Sequence, residues 1–462
     1  MALDAILAHK REEVARRKAA VSLEAHLAAC EPTRRDFAAA LRAGRPGFIL
    51  EAKFSSPSEG TIRPGRDLAQ VLESYGRHAD AISVLTDERF FGGSLERLAQ
   101  ARLAVNQPLL CKDFILEPYQ VAEARRFGAD AILLILAAVD DETWRAAAAL
   151  AERLGMAVLT EVHDEQQLDR ALGLEAGIIG VNSRNLRTLA IDPDTVGRLA
   201  PRIPADRLVV AESGIRSRAD IERLRPHADA VLIGTALMRE PDLDAAVRQL
   251  VYGRTKICGL MREEDARAAL LAGATHGGLV FVDRSPRRVD RANARRVREG
   301  APLQWVGLFA GALVDEVASA AGELGLSAVQ LYEYDPGAVG RLRAALPEAC
   351  ETWVAVQASE GIPAREETGA ERLLVDAASG ERLGGSGRSF DWELLRDRAD
   401  RSELVLAGGI RTENVSRAVE TGAWALDLSS GVEQAPGRKD PDRLREFFSR
   451  RRRLPGRGDL TP

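Results

Sequence analysis

The sequence predicts an α/β protein made of two tandem (β/α)8 barrels, and three observations carry that prediction. Short apolar runs alternate from end to end with longer stretches of Ala, Leu, Arg and Glu at helical spacing. The runs are apolar throughout, as strands of a parallel sheet covered on both faces are. Each half of the chain holds eight of them. Eight strand–helix units in roughly 200 to 250 residues fit one closed barrel, so 462 residues accommodate two.

The elements follow in order. Residues 1–47 precede the first run and are expected to form extra helices outside or capping the first barrel. The first eight strands are FILEAKF (48–54), AISVLT (81–86), PLLCKDF (108–114), AILLIL (131–136), MAVLTEV (156–162), IIGVNSR (178–184), RLVVAES (207–213) and ADAVLIG (228–234). The second eight are RTKICG (254–259), HGGLVF (276–281), LQWVGLF (303–309), SAVQLY (327–332), TWVAVQ (352–357), RLLVDA (372–377), LVLAGG (404–409) and ALDLSSG (425–431). Segments such as LERLAQARLAV and DAAVRQLVYG supply the helices between. We place the domains at 1–252 and 253–462, with a rigid junction because no Pro/Gly/Ser linker intervenes. The basic tail FFSRRRRLPGRGDLTP reads as a solvated end.

Composition excludes several classes. A formal charge of −5 lacks the basic excess of a nucleic-acid binder. The longest apolar run, AILLILAAV, is too short to span a membrane. Four cysteines without paired short spacings suggest neither a disulfide framework nor a zinc site. A cytoplasmic protein with reduced thiols is expected.

Lysine usage is the sharpest local signal. Only Lys10, Lys18, Lys53, Lys112, Lys256 and Lys439 occur among 64 basic residues. Arg stays protonated at any working pH, whereas a Lys ammonium can give up its proton. Lys53, Lys112 and Lys256 each sit in or just past an apolar strand, where barrels place their chemistry. The strand ends of the first half collect Glu51, Lys53, Lys112, Glu161, Asn182, Arg184, Glu212 and Ser213. So many charges must pair around a polar ligand, because burying them unpaired costs several kcal/mol each. Glu51 and Lys53 are one residue apart and share a face, so a structural salt bridge competes with a catalytic role. SSPSEG (55–60), Ser213-Gly214 and Gly234-Thr235 are turns suited to a phosphate, although ordinary turn chemistry explains them as well.

The second half offers a different set. Cys258 ends its first strand and Asp376 its sixth, which suits a base and an acid acting on two faces of a sugar. Lys256 points the same way as Cys258, where its charge can favour the thiolate, unless Cys258 is simply a small buried hydrophobe. Arg287 is a candidate for a substrate carboxylate. The Gly-rich loop with Gly385, the turn Gly408-Gly409 and the turn Ser429-Ser430 are candidates for phosphate.

Taken together, these motifs resemble two known families. ILEAKFSSPSEG, SVLTDERFFGGS, PLLCKDFI, VLTEVHD, IIGVNSRNL, AESGI and LIGTALM resemble indole-3-glycerol-phosphate synthase over residues 1–250. KICGL, GGLVFVDRSPR, LLVDAASG, GGSGRSFDW, VLAGGI and LDLSSGVE resemble phosphoribosylanthranilate isomerase over 254–436. The whole chain is similar to the fused bifunctional enzymes of tryptophan biosynthesis. The resemblance implies that the first barrel acts on 1-(2-carboxyphenylamino)-1-deoxyribulose 5-phosphate. Lys112 is then the general acid at the ketone, with Glu161 and Lys53 as proton carriers. Glu51, Asn182 and Glu212 orient and stabilise, Arg184 and Lys53 face the anthranilate carboxylate, and Ser56, Gly214, Gly234 and Thr235 lie near the phosphate. In the second barrel Asp376 opens the ribose ring and Cys258 removes the C2 proton. Neither step calls for a metal or organic cofactor.

The second half departs from its family's pattern. QLYEYDP places Tyr332 and Glu333 where His-Gly is usual, and Met261 follows CGL where Thr is common. Two competing readings remain at this point. One is an aldolase forming a Schiff base at Lys112; the other makes the second barrel a non-catalytic phosphate-binding scaffold.

Overall fold

The computed structural model describes residues 2–57, 59–62, 65, 67–377, 390–453 and 457. The chain divides into two compact units, Met1–Val247 with Arg453–Pro462, and Arg248–Arg452. The division falls inside the helix Leu243–Tyr252, slightly before the boundary read from sequence. It also moves the tail: the Arg457 guanidinium donates to the carbonyls of Arg207 and Pro204, at 3.2 and 3.0 Å, within the first unit. Among the described residues, no helix is long and apolar enough to cross a membrane.

The first unit is a closed barrel of eight parallel strands. They are β1 (Gly47–Ala52), β2 (Ala81–Leu85), β3 (Leu109–Lys112), β4 (Ala131–Ile135), β5 (Ala157–Val162), β6 (Ile178–Asn182), β7 (Leu208–Glu212) and β8 (Ala230–Ile233). β8 closes on β1 with Leu50 opposite Ile233. All eight lie on the runs read from the sequence. Their inward side chains, among them Ile49, Leu110, Leu133, Leu159, Val210 and Leu232, form the core. Fully burying each Leu, Ile or Val stabilises the barrel by roughly 1.5–3 kcal/mol relative to exposure.

Three helices precede this barrel: α1 (Ala2–Ala20), α2 (Leu23–Ala28) and α3 (Phe37–Gly44). Leu3, Ile6 and Leu7 of α1 and Phe37 and Leu41 of α3 join the barrel core, so these helices cap it as expected. Lys10 of α1 is fully buried, with its ammonium 2.9 Å from Asp87 and 2.8 Å from Asp113. Those two carboxylates follow β2 and β3, so the pairs fasten α1 to the strand ends.

The second unit repeats the plan. Its strands are β9 (Thr255–Cys258), β10 (His276–Val280), β11 (Gln304–Ala310), β12 (Ala328–Tyr332), β13 (Glu351–Gln357), β14 (Arg372–Asp376), β15 (Val405–Leu406) and β16 (Ala425–Leu428). They close in sequence order, and the seam between β16 and β9 sets Lys256 opposite Asp427. Val306, Trp353, Leu374 and Val405 fill the barrel below a second layer of Cys258, Val280, Leu308 and Tyr332.

In both units many helices start at an Asp whose side chain accepts a first-turn N–H. Asp140, Asp164, Asp290 and Asp335 do this for Thr143, Gln167, Asn293 and Ala338. Such caps are worth about 1 kcal/mol each. They start each helix in the segment after a strand and leave the strand end free to carry functional groups.

Candidate active sites

A cavity of about 360 Å³ opens at the C-terminal ends of β1–β8. It is lined by Glu51, Lys53, Ser56, Lys112, Glu161, Asn182, Arg184, Glu212, Ser213, Gly214, Gly234 and Thr235, so every site residue expected in the first half faces one space. Strand register assembles them. β5 aligns Glu161 with Ile135 at the end of β4, and Asn182 ends β6 level with Glu212 on β7.

The charges interlock. The Lys112 ammonium lies 2.5 Å from Glu212 and 3.4 Å from Glu161, and Lys53 lies 2.8 Å from Glu51. Burial opposes the charge on Lys112, but Glu212, Glu161 and Glu51 outweigh it and hold the ammonium protonated well above its ordinary value. Burial also opposes the charge on Glu51 and Glu161. Lys53 and Lys112 overcome it at Glu51, and Lys112 and His163 at Glu161, so both carboxyls fall below their ordinary range. Glu212 goes the other way: burial and the neighbouring Glu161 and Glu51 push it up despite Lys112. Two carboxyls whose environments drive them apart, Glu161 held ionised and Glu212 pushed toward taking up a proton, are an acid–base arrangement. Glu212 Oε1 has no hydrogen-bond partner among the described residues.

Positioning is local. Asn182 Oδ1 accepts from the backbone N–H of Arg184 at 2.9 Å, and the Asn182 side chain helps hold Glu161 below its ordinary range. Arg184 itself donates to the Leu189 carbonyl at 3.2 Å. Ser213 and Gly214 both adopt left-handed backbone, at φ +65° and +78°, so the chain bends sharply as it leaves β7. Gly234 has a further reason to be glycine: a Cβ there would stand 2.6 Å from Glu51 Oε1.

The second cavity is smaller, about 60 Å³. Cys258, Arg287, Tyr332, Asp376, Gly408, Gly409, Asp427, Ser429 and Ser430 line it. The thiol and the carboxyl expected to work together therefore share one space. Gly408, at φ +82°, lies so close to β14 that a Cβ would meet the Ala377 nitrogen at 2.6 Å and Asp376 Oδ1 at 2.9 Å. The expected loop with Gly385 lies outside the described residues.

Two expected groups turn out to have further partners. Lys256 favours the Cys258 thiolate, as their shared face implies, but burial outweighs it. Its ammonium is fully buried, 2.8 Å from Gln330 Oε1 and 3.0 Å from Asp427. Burial pushes the Cys258 thiol up, and Lys256 offsets this only in part. Arg287 faces the cavity, but its guanidinium is engaged by Glu433, at 2.6 and 2.9 Å. Lys439 locks that carboxylate in turn, 2.7 Å from Glu433 and 2.6 Å from the Cys258 carbonyl.

Sequence reasoning missed three groups. Lys10 and Lys439 carried the same rarity signal as the chosen lysines. His163, two residues past Glu161 and 3.2 Å from its carboxylate, was legible from that spacing.

Comparison with known proteins agrees with this division. The family model described as indole-3-glycerol phosphate synthase matches residues 3–250. That described as N-(5'-phosphoribosyl)anthranilate (PRA) isomerase matches residues 255–450. The tryptophan biosynthesis protein TrpCF of Vibrio cholerae is 46% identical over 97% of this chain and 95% of its own length. TrpCF of Yersinia pestis is 46% identical over 90% of this chain and 87% of its own. Among solved structures, phosphoribosyl anthranilate isomerase from Thermus thermophilus is 34% identical, covering 43% of this chain and 97% of that chain with a TM-score of 0.38. The chain belongs to the bifunctional family of tryptophan biosynthesis in which a synthase barrel for indole-3-glycerol phosphate is followed by an isomerase barrel for phosphoribosylanthranilate.

Proposed function

We propose that the second barrel converts N-(5-phosphoribosyl)anthranilate to 1-(2-carboxyphenylamino)-1-deoxyribulose 5-phosphate, and that the first barrel closes, decarboxylates and dehydrates this product to indole-3-glycerol phosphate. The observation that carries the synthase assignment is the Lys112 ammonium held between Glu161 and Glu212 inside the first cavity.

In the first barrel Lys112 donates its proton to the substrate ketone as the aromatic ring attacks the carbonyl carbon. Carbon dioxide leaves and the ring regains aromaticity. Glu161 and Lys53 then carry the protons of dehydration, while Glu51, Asn182 and Glu212 hold the charges in place. Arg184 and Lys53 face the anthranilate carboxylate. The turns at Ser56, Ser213-Gly214 and Gly234-Thr235 take the phosphate, a role supported by their shared cavity wall. The raised Lys112 argues against a Schiff-base lyase, whose lysine must be neutral to attack.

In the second barrel Asp376 protonates the ribose ring oxygen, the ring opens, and Cys258 removes the C2 proton. Gly408, Gly409, Ser429 and Ser430 receive the phosphate, and Arg287 approaches the substrate carboxylate while bound to Glu433. The enzyme works in the cytoplasm as a monomer. Cys30, Cys111, Cys258 and Cys350 are all free thiols, in keeping with a reducing compartment.

The test gives the purified protein N-(5-phosphoribosyl)anthranilate as its sole substrate and follows the fluorescence of the indole product. Appearance of that product supports both steps. Loss of substrate without indole confines the activity to the second barrel, and no change refutes the proposal. Borohydride with a keto-phosphate is expected to leave the enzyme active; trapping at Lys112 would restore the aldolase reading.

A further inference from the structure

Tyr332 ends β12 and faces the second cavity with Cys258 and Asp376. A chain of hydrogen bonds fixes what its hydroxyl can do. The Lys256 ammonium is a donor only, and it lies 2.8 Å from one end of the Gln330 amide. That end must be the oxygen, since the amide NH2 would oppose an ammonium. The other end, the NH2, therefore donates to the Tyr332 oxygen, at 2.8 Å. Tyr332 accepts on that side, so its own O–H proton turns away from Gln330. Among the described residues it finds no protein acceptor, although the side chain is only 8% exposed. A buried hydroxyl with an unspent proton facing a cavity is prepared for an acceptor on a ligand.

The barrel decides which end of the ligand that is. In the closed ring of β9–β16, β12 stands opposite β16. The phosphate turn at Ser429-Ser430 follows β16, and Cys258 and Asp376 end β9 and β14. A substrate with its phosphate at β16 and its ribose between thiol and carboxyl extends its aromatic end toward β12. We propose that Tyr332 donates a hydrogen bond to the anthranilate carboxylate and so helps set the specificity of the isomerase barrel. Burial and the nearby Asp376 and Asp427 keep the phenol protonated, which preserves the donor. The inference rests on reading the second cavity as the isomerase site. It gives a use to the tyrosine that departs from the family's usual His-Gly.

The test compares two inhibitors of the isomerase reaction: the borohydride-reduced product, and its counterpart lacking the ring carboxylate. Inhibition constants are read from the disappearance of N-(5-phosphoribosyl)anthranilate, so capture of either inhibitor by the first barrel does not enter. Tyr332→Phe is expected to weaken the carboxylated inhibitor about 10-fold and leave the other unchanged. Tyr332→His, which keeps a donor, is expected to retain most of the preference. Equal weakening of both inhibitors, or of neither, overturns the proposal. If the Phe variant does not fold, Tyr332→Leu replaces it and must lose the preference that Tyr332→His keeps; the opposite result refutes the role. A wild-type protein without isomerase activity would instead bring down the reading of the cavity itself.

Discussion

The two barrels handle a buried ammonium in opposite ways. Lys112 stands at a strand end in open contact with the first cavity, among three carboxylates, one of which is pushed toward its protonated form. Lys256 lies two residues deeper than the cavity-lining Cys258, sealed against Asp427 and Gln330. One ammonium has partners that can take up or release a proton while a ligand is present. The other is bound into the barrel wall and orients its neighbours. Depth along a strand, rather than residue type, separates a group that can act on a ligand from one that holds the fold.

The widest test of this contrast is kinetic. Lys112→Met should lower indole formation by about 10²- to 10⁴-fold, the range of a general acid, with isomerisation unchanged. Cys258→Ala should do the reverse. Separate assays, each started from its own substrate, check both; loss of both activities from either change would contradict independent sites.

Stability should follow the opposite order. Lys256→Met leaves Asp427 buried without its cation and should destabilise the second barrel by about 3–5 kcal/mol. Lys112→Met should cost less, because Glu212 is already poised to take up a proton. Urea unfolding of both variants, followed at the tryptophans of the second unit and by circular dichroism for the whole chain, measures the difference. Equal losses would break the comparison.

A smaller effect is expected at Gly234. Gly234→Ala sets a Cβ 2.6 Å from Glu51 Oε1 and displaces that carboxylate from Lys53. Synthase kcat/KM should fall roughly 10-fold, as a misplaced catalytic group costs, and isomerase activity serves as the control.

The smallest effect is in pH dependence. Burial raises the Cys258 thiol above its ordinary value. A base with a raised pKa loses its active form as pH falls, so isomerase kcat/KM should still be climbing beyond about pH 8.5, the ordinary thiol value. Cys258→Ser should abolish that limb. A plateau well below that pH would show that the thiolate is favoured after all.

Much of this was legible in the chain. All sixteen strands overlap apolar runs of the sequence, because a parallel strand buried on both faces is apolar along most of its length. The first site was legible for a related reason: a charge closing such a run has to be solvated, paired or used. Arg287 was less legible, since Glu433, its partner, lies 146 residues away. Lys439 was passed over because the short hairpin that buries it, Glu433–Ala435 with Arg438–Lys439, carries no strong strand pattern.

By itself the sequence determined the fold class, the two-barrel division and the residue types at each strand end, because these depend on local periodicity and on the cost of burying charge. The tertiary structure alone decided which charges meet. Closing β16 onto β9 sets Lys256 beside Asp427, and the β6–β7 register brings Asn182 level with Glu212. Pairing across a barrel depends on register and on how far each side chain reaches, and neither quantity is written in the spacing of residues along one strand.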